Sequence, residues 1–181
     1  TAPPKDINGL KKDASLSLYA VPSGNIKGRQ VALLVSDGVD AADTLAIFLA
    51  LKQHGVHAKL LAAHMGEVTA SDGSSLPVDG TFSALPSLAF DAVIVPDGNI
   101  DALLLRGDAC YFLLEAYKHL KVIGLSGDAR RFAAHFGLTD DEQEEGIITE
   151  SKAEGKLMSD FVAALAMHRI WSRSQKALSV P

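Results

Sequence analysis

A single cysteine among 181 residues excludes an internal disulfide framework, and Cys110 as the lone thiol fits a reducing compartment such as the cytoplasm. No run approaches the roughly 18 apolar residues needed to cross a bilayer. Dense Lys/Arg clusters are missing and the formal net charge is −5. Nucleic acid and anionic membrane surfaces are therefore poor main partners. His-x-x-x-His and Cys-x-x-Cys spacings are lacking, which leaves a metal site without support. His54 and His57 straddle Gly55, and the acidic run Asp140–Glu145 reads as a solvated loop. No Gly-x-Gly-x-x-Gly follows the first apolar segment. Ser36-Asp37-Gly38 stands there instead, and its carboxylate repels phosphate.

Hydrophobic residues make up 48% of the chain, enough for one sizeable core and a tail. The chain opens Thr1-Ala2-Pro3-Pro4-Lys5-Asp6, which reads as the cut end of something longer or as a processed product. Residues 1–28 carry Pro3, Pro4, Gly9, Pro22 and Gly24 and read as a linker or extended arm. Within it, Ser15–Tyr19 alternates as a short docking strand would. Residues 29–175 form the expected domain and 176–181 a tail.

From Gly28 onward, buried-strand patterns alternate with helical ones. Strands are expected at 31–36, 57–62, 91–96, 122–125 and 147–149, with a small hairpin over 67–77. One helix is expected from about Asp40 to His54, with Leu45, Phe48 and Leu49 on its apolar stripe. Others are expected at 108–119 and 128–135. A long one over 155–173 would place Leu157, Phe161, Leu165, His168 and Trp171 on one face. Alternation of this kind predicts a mostly parallel sheet flanked by helices, a three-layer α/β sandwich.

Ligand sites in such sheets lie beyond the carboxyl ends of the strands. The turns at 36–40, 96–100 and 126–128 qualify, with Asp37, Asp40, Asp97, Asn99, Ser126 and Asp128 as their polar contents. Ser126-Gly127 follows an apolar strand and precedes a helical segment, the setting in which α/β enzymes present a nucleophile. Such a serine needs a base. His135 is nine positions on and too far to reach back easily, and the other histidines are scattered. The plainer reading makes Ser126-Gly127 a turn with Asp128 capping the next helix. Asp40 is a candidate acid partner for Ser126 and, with Asp43 three residues on, a helix cap. Cys110 sits early in a helix whose dipole can lower a thiol pKa, but core packing beside Tyr111 and Phe112 is the plainer role.

Two resemblances follow from these segments. Val31–Ala62 with Asp91–Phe132, including Val95-Pro96-Asp97-Gly98 before the elbow strand, resembles the class I glutamine amidotransferase-like superfamily. That implies a flavodoxin-like fold. By position it sets Ser126 where active members carry Cys, Gly127 where they carry His, and Asp40 where the acid falls. Gly28-Arg29, Leu51–Leu61, Met65–Ala70, Asp91–Pro96, Glu115–Lys121, Gly127–Arg130 and His168–Arg173 together resemble the C-terminal domain of large-subunit haem catalases of the hydroperoxidase II type. The resemblance implies a cytoplasmic homotetramer that disproportionates hydrogen peroxide with haem. Residues 1–28 would then be the tether from the catalase core, and the core and neighbouring subunits the partners. Tyr19, Tyr111 and Tyr117 lack the setting of a haem ligand, so the expectation for this segment is a non-catalytic accessory domain without cofactor or metal. Alternatives are a chaperone-like holdase that binds unfolded clients, a residual serine hydrolase at Ser126 with Asp40, and a small-molecule or flavin binder by fold analogy.

Overall fold

A computed structural model describes residues 24–138, 144–151, 153 and 155–178. The expected strand at 15–19 and most of the acidic run lie outside these residues. Six strands form one sheet in the order β5-β2-β1-β6-β7-β8, and every pairing in it is parallel. They are β1 (Gln30–Leu34), β2 (His57–Ala62), β5 (Gly80–Thr81), β6 (Ala92–Val95), β7 (Val122–Ser126) and β8 (Ile147–Glu150). β3 (Gly66–Thr69) and β4 (Ser75–Val78) make the separate antiparallel hairpin that the sequence predicts. The short β5 had no signal of its own.

The central strands read as unbroken apolar runs because both their faces are covered. β6 and β7 are buried along their whole length. Alternation then divides the core. Val31, Leu33 and Ile94 face one layer with Ile47, Leu51, Leu157, Phe161 and Leu165. Ala32, Leu34, Val93 and Val95 face the other with Phe112, Leu113, Tyr117, Phe132 and Phe136. Gly124 in β7 lets the first layer close down, since a Cβ there would meet Ile94 Cγ1 at 2.8 Å and Phe161 Cδ2 at 3.0 Å.

Helix α1 (Ala41–Gln53) starts where expected, but its phase differs. Its buried positions are Asp43, Thr44, Ile47 and Leu51, whereas Leu45 is 55% exposed and Leu49 47%. The phase is set by polar groups. Asp40 accepts the Asp43 N–H at 3.0 Å, and the Asp43 carboxylate turns inward to accept N–H bonds from Asp97 and Ala153. α2 (Asp101–Leu104) was not anticipated; α3 (Gly107–Lys118) was, within a residue at each end.

Two expected helices come out differently. The segment after β7 winds as 3-10 turns over Gly127–Phe136 and ends at Gly137 with φ +73°. Ala129 and Phe132, three apart and both buried, eclipse on such a turn. The long terminal helix stops early, with α4 spanning Lys156–Ala166. Leu157, Phe161 and Leu165 face the core as predicted. His168 then takes φ +67° and the chain folds back, pinned by the Ile170 N–H on the Leu120 carbonyl at 2.8 Å. Trp171 consequently packs against the opposite layer, and His168 is exposed. A 3-10 turn and α5 (Ser174–Ala177) complete the described chain.

Lys121, fully buried just before β7, donates from Nζ to the Ser87 carbonyl. Burial, helped by the Arg169 charge and opposed by Asp91 and Glu115, pulls it from 10.5 to about 8. A lysine whose folded pKa is depressed binds its proton less tightly when folded. Folding is therefore penalised below about pH 8, and the penalty fades as pH rises toward 10.5. The effect of Lys121→Met on unfolding free energy should be more favourable at pH 7 than at pH 10.5 by roughly 3 kcal/mol. Urea denaturation of both proteins at the two pH values measures it. An effect of equal size at both rules out the depressed lysine.

Candidate functional site

The three turns at the carboxyl ends of β1, β6 and β7 meet as the topology requires. Val39 bridges to Gly98, the Asp40 N–H reaches the Asp97 carbonyl at 2.8 Å, and the Asn99 N–H reaches the Gly38 carbonyl at 2.9 Å. Gly98, at φ +138°, leaves no room for a side chain, because a Cβ would lie 2.5 Å from the Val39 Cα. At the centre sits Asp97. Its Oδ1 accepts N–H bonds from Gly98 at 2.8 Å and from Asp128 at 2.9 Å. Two backbone donors converging after a strand are the arrangement that holds an oxyanion in acyl-transfer sites. Here the chain's own carboxylate fills it.

The residue at the bend is Gly127, not Ser126. Ser126 has φ −93° and ψ 141°, which continues the extended strand, and its side chain is sealed from solvent. Gly127 takes φ +54°, and a Cβ there would lie 2.0 Å from Asp97 Cγ. A side chain projecting from the bend would collide with that carboxylate. The buried Ser126 Oγ has no hydrogen-bond partner among the described residues, neither Asp40 nor an imidazole.

Asp40 serves as the α1 cap, with its Oδ1 on the Asp43 N–H. Asp128 does not cap the following segment as the sequence suggests. The Asp128 N–H is itself capped by Asp97 from the neighbouring loop. Asp37 accepts the Thr69 N–H at 2.8 Å, and Ser36 Oγ donates to the Asn99 carbonyl at 3.3 Å. The acids of the three turns thus mostly hold loops in place.

His135, too distant from Ser126 by sequence, stands instead beside Cys110, with Nε2 3.8 Å from Sγ. Cys110 Sγ also lies 3.5 Å from the Leu104 carbonyl. The helix-dipole expectation for this thiol is reversed. Burial pushes its pKa up, and the Asp108 charge adds to the effect. Sequence reading missed this pair because the residues are 25 positions apart and meet only through the 3-10 path after β7. It also missed the role of Asp97, although Pro96-Asp97-Gly98 marked a turn.

Among the described residues, no group of three or more His, Cys, Asp or Glu is placed to hold a metal ion, and no helix is long and apolar enough to cross a membrane. Of the tyrosines, Tyr111 is exposed on α3 and Tyr117 is buried, while Tyr19 lies outside the described residues. Tyr117 donates to Glu144, and burial together with that carboxylate pushes its pKa up to about 12. This setting favours the neutral phenol of Tyr117. A groove of about 400 Å³ lined by Phe82, Leu88, Tyr111 and Phe112 lies along the flank of α3, away from the three turns.

The sequence model of the C-terminal domain found in long catalases matches residues 27–175. Catalase HPII of Pseudomonas aeruginosa is 38% identical over 173 residues, which cover 94% of this chain and 24% of that protein. Catalase HPII of Pseudomonas putida is 39% identical over 175 residues, covering 95% and 24%. The chain thus spans about a quarter of the length of these relatives. Among solved structures, a DJ-1 superfamily protein from Salmonella typhimurium superposes with a TM-score of 0.64 at 18% identity, over 83% of this chain and 95% of that one. The oxidized DJ-1 of Toxoplasma gondii gives a TM-score of 0.62 at 13% identity, over 84% and 96%. Those two likenesses establish the flavodoxin-like α/β fold.

Two measurements check the site geometry. Gly127→Ala should cost roughly 2–4 kcal/mol, from the left-handed backbone and the collision with Asp97 together. Combining it with Asp97→Gly should recover about 1 kcal/mol or more relative to the sum of the single changes. Strict additivity in that double-mutant cycle would remove Asp97 from the bend. For Cys110, alkylation by iodoacetamide at pH 7.5 should run slower than for free glutathione and accelerate at higher pH, because burial raises the thiol pKa. A rate at or above that of glutathione contradicts the raised thiol pKa.

Proposed function

The chain belongs to the family of C-terminal domains found in long catalases, and from that premise we propose that it is a non-catalytic accessory module of a large haem catalase. Residues 1–28 tether it to the catalytic core and residues 29–175 form the domain, while the tail expected from 176 begins inside α5, where Ala177 packs into the core. Its partners are that core and the neighbouring subunits of a homotetramer in the cytoplasm. Haem and peroxide chemistry belong to the rest of the parent protein, and this module contributes stability or assembly.

One observation carries the reading: the Asp97 carboxylate occupies the Asp128 N–H of the elbow and the Gly98 N–H of the loop after β6, beside a bend whose residue has no side chain. A hydrolase of this architecture needs a nucleophile at the bend, a base beside it and vacant donors for the oxyanion. Asp97 takes the donors and the space, and Ser126 Oγ lies sealed beneath. The Tyr117 environment likewise speaks against haem binding by this segment. The module's contribution is then the packed surface it presents, in keeping with a fold that hosts many unrelated roles.

Haem added to this chain should give no stable Soret band and no oxygen from peroxide. Deleting the corresponding segment from a long catalase should leave turnover per haem unchanged in the assembled enzyme while shortening its half-life at elevated temperature. Stoichiometric haem binding with turnover by the chain alone, or a truncated enzyme that inactivates no faster than the full one, defeats the proposal.

A further inference from the structure

Three adjacent central strands begin side by side. Val31 of β1 pairs with Ala92 of β6, and Ala92 pairs with Val122 of β7. Asp91 and Lys121 directly precede the latter two strands, and Arg29 directly precedes β1. The turn after α4 lies against this edge, because the Ile170 N–H is bonded to the carbonyl of Leu120. It brings His168 and Arg169 onto the same spot, 139 positions from Arg29 in the case of His168. Gly28-Arg29 and His168-Arg169 were singled out in the sequence, yet the elbow and the accessory role leave both unused.

The grouping is short of negative charge. Arg29, Lys121 and Arg169 gather around Asp91, whose Oδ2 is spent on the Gln30 N–H at 2.9 Å. Its Oδ1 stands 3.8 Å from Arg29 Nη1 and 3.9 Å from His168 Nδ1, beyond hydrogen-bonding distance. Glu115, the other nearby carboxylate, faces Lys121 and pairs with His119 at 3.5 Å. Arg29 Nη1 lies 2.6 Å from His168 Nδ1. A guanidinium only donates, so Nδ1 is the acceptor and the ring proton sits on Nε2. Arg169 bonds through Nη1 to the His168 carbonyl at 3.0 Å and is half-buried. His168 holds a left-handed backbone, a conformation that costs energy outside glycine and is retained where the surroundings enforce it. Like charges collected at a partly buried spot on a chain of net charge −5 call for a counter-ion from elsewhere.

We propose that Arg29, His168 and Arg169 form an oxyanion site at the amino edge of the sheet, taking a carboxylate or phosphate group. Two guanidiniums supply planar, charge-assisted donors and the imidazole Nε2–H supplies a neutral one. Lys121 lies behind them as a buried cation and Asp91 holds the register. The ligand is either a free small oxyanion or an acidic side chain of an adjoining polypeptide. Both share the same chemistry.

The histidine ring resonances of the isotope-labelled chain report on the site. Titration with inorganic phosphate, with sodium chloride held at matched ionic strength as the control, should shift His168 saturably and raise its pKa, since a bound negative charge favours imidazolium. Hexaglutamate provides the second arm. Saturation by phosphate alone assigns a free oxyanion, and tighter saturation by hexaglutamate assigns an acidic side chain. Arg169→Gln should weaken whichever binds by about tenfold, and Arg29→Gln, on a different element, should do the same. Far-UV circular dichroism confirms that each variant is folded. Failure of both probes to saturate, a response equal to that of sodium chloride, or unchanged binding in both variants overturns the site.

Discussion

Two carboxylates hold together the end of the sheet on which a ligand site was expected. Asp43, drawn inward from the first turn of α1, accepts N–H bonds from Asp97 after β6 and from Ala153 ahead of α4. Asp97 in turn accepts from Gly98 and from Asp128 after β7. Four separate stretches of chain are thereby joined through two side chains. Each bond satisfies a backbone donor that would otherwise be left without a partner at a strand or helix terminus. Because these acceptors are charged, each bond is stronger than a neutral one. Removing either acid frees two of these donors at once, so the loops stand or fall together.

That stitch fills the end of the sheet where open α/β folds commonly take a ligand. The parallel sheet with its crossover connections delivers three loops to one place whatever residues they carry. What the loops then do depends on where the donors are pointed and what accepts from them. Here the acceptor is internal. The φ +54° of Gly127, a bend that elsewhere projects a nucleophile, instead makes room for Asp97. The geometry survives because it is cheap for glycine and because the neighbouring carboxylate rewards it with a hydrogen bond to the next N–H.

Much of this fold is legible in the residues. Val31–Leu34, Ala92–Val95 and Val122–Leu125 are unbroken apolar runs because parallel strands are covered twice, and alternation with helical segments leaves few topologies. Where the reading erred, a polar or backbone constraint overrode hydrophobic periodicity. The phase of α1 follows Asp43 rather than Leu45 and Leu49. The end of α4 follows His168 and the anchoring of Ile170 rather than the apolar spacing that continues to Trp171. At the carboxyl ends of the strands, the sequence pointed to the three turns that the structure joins but placed the bend one residue early. Glycine takes a left-handed backbone at little cost, so Gly127 was the available signal, and the strand's last pairing, Ser126 with Glu150, keeps Ser126 extended. The approach of His135 to Cys110 and of His168 to Arg29 depends on tertiary path alone.

The two ends of the sheet have exchanged their usual electrical roles. Carboxyl ends of parallel strands commonly gather groups that receive anions, since helix N-termini open there. In this chain that end carries Asp37, Asp40, Asp43, Asp97 and Asp128. Several of these consume the local N–H donors, so an incoming anion meets negative charge and occupied bonds. The opposite end holds Arg29, Lys121 and Arg169 around Asp91, with Lys121 buried deeply enough to be pulled toward neutrality. Keeping a cation there costs stability, whereas an apolar residue would pack at no such cost. A persistent cost of that kind is most simply balanced by an opposite charge brought from outside the domain. The charge distribution thus favours an acidic ligand at the amino edge of the sheet, at the place where the chain enters the first strand.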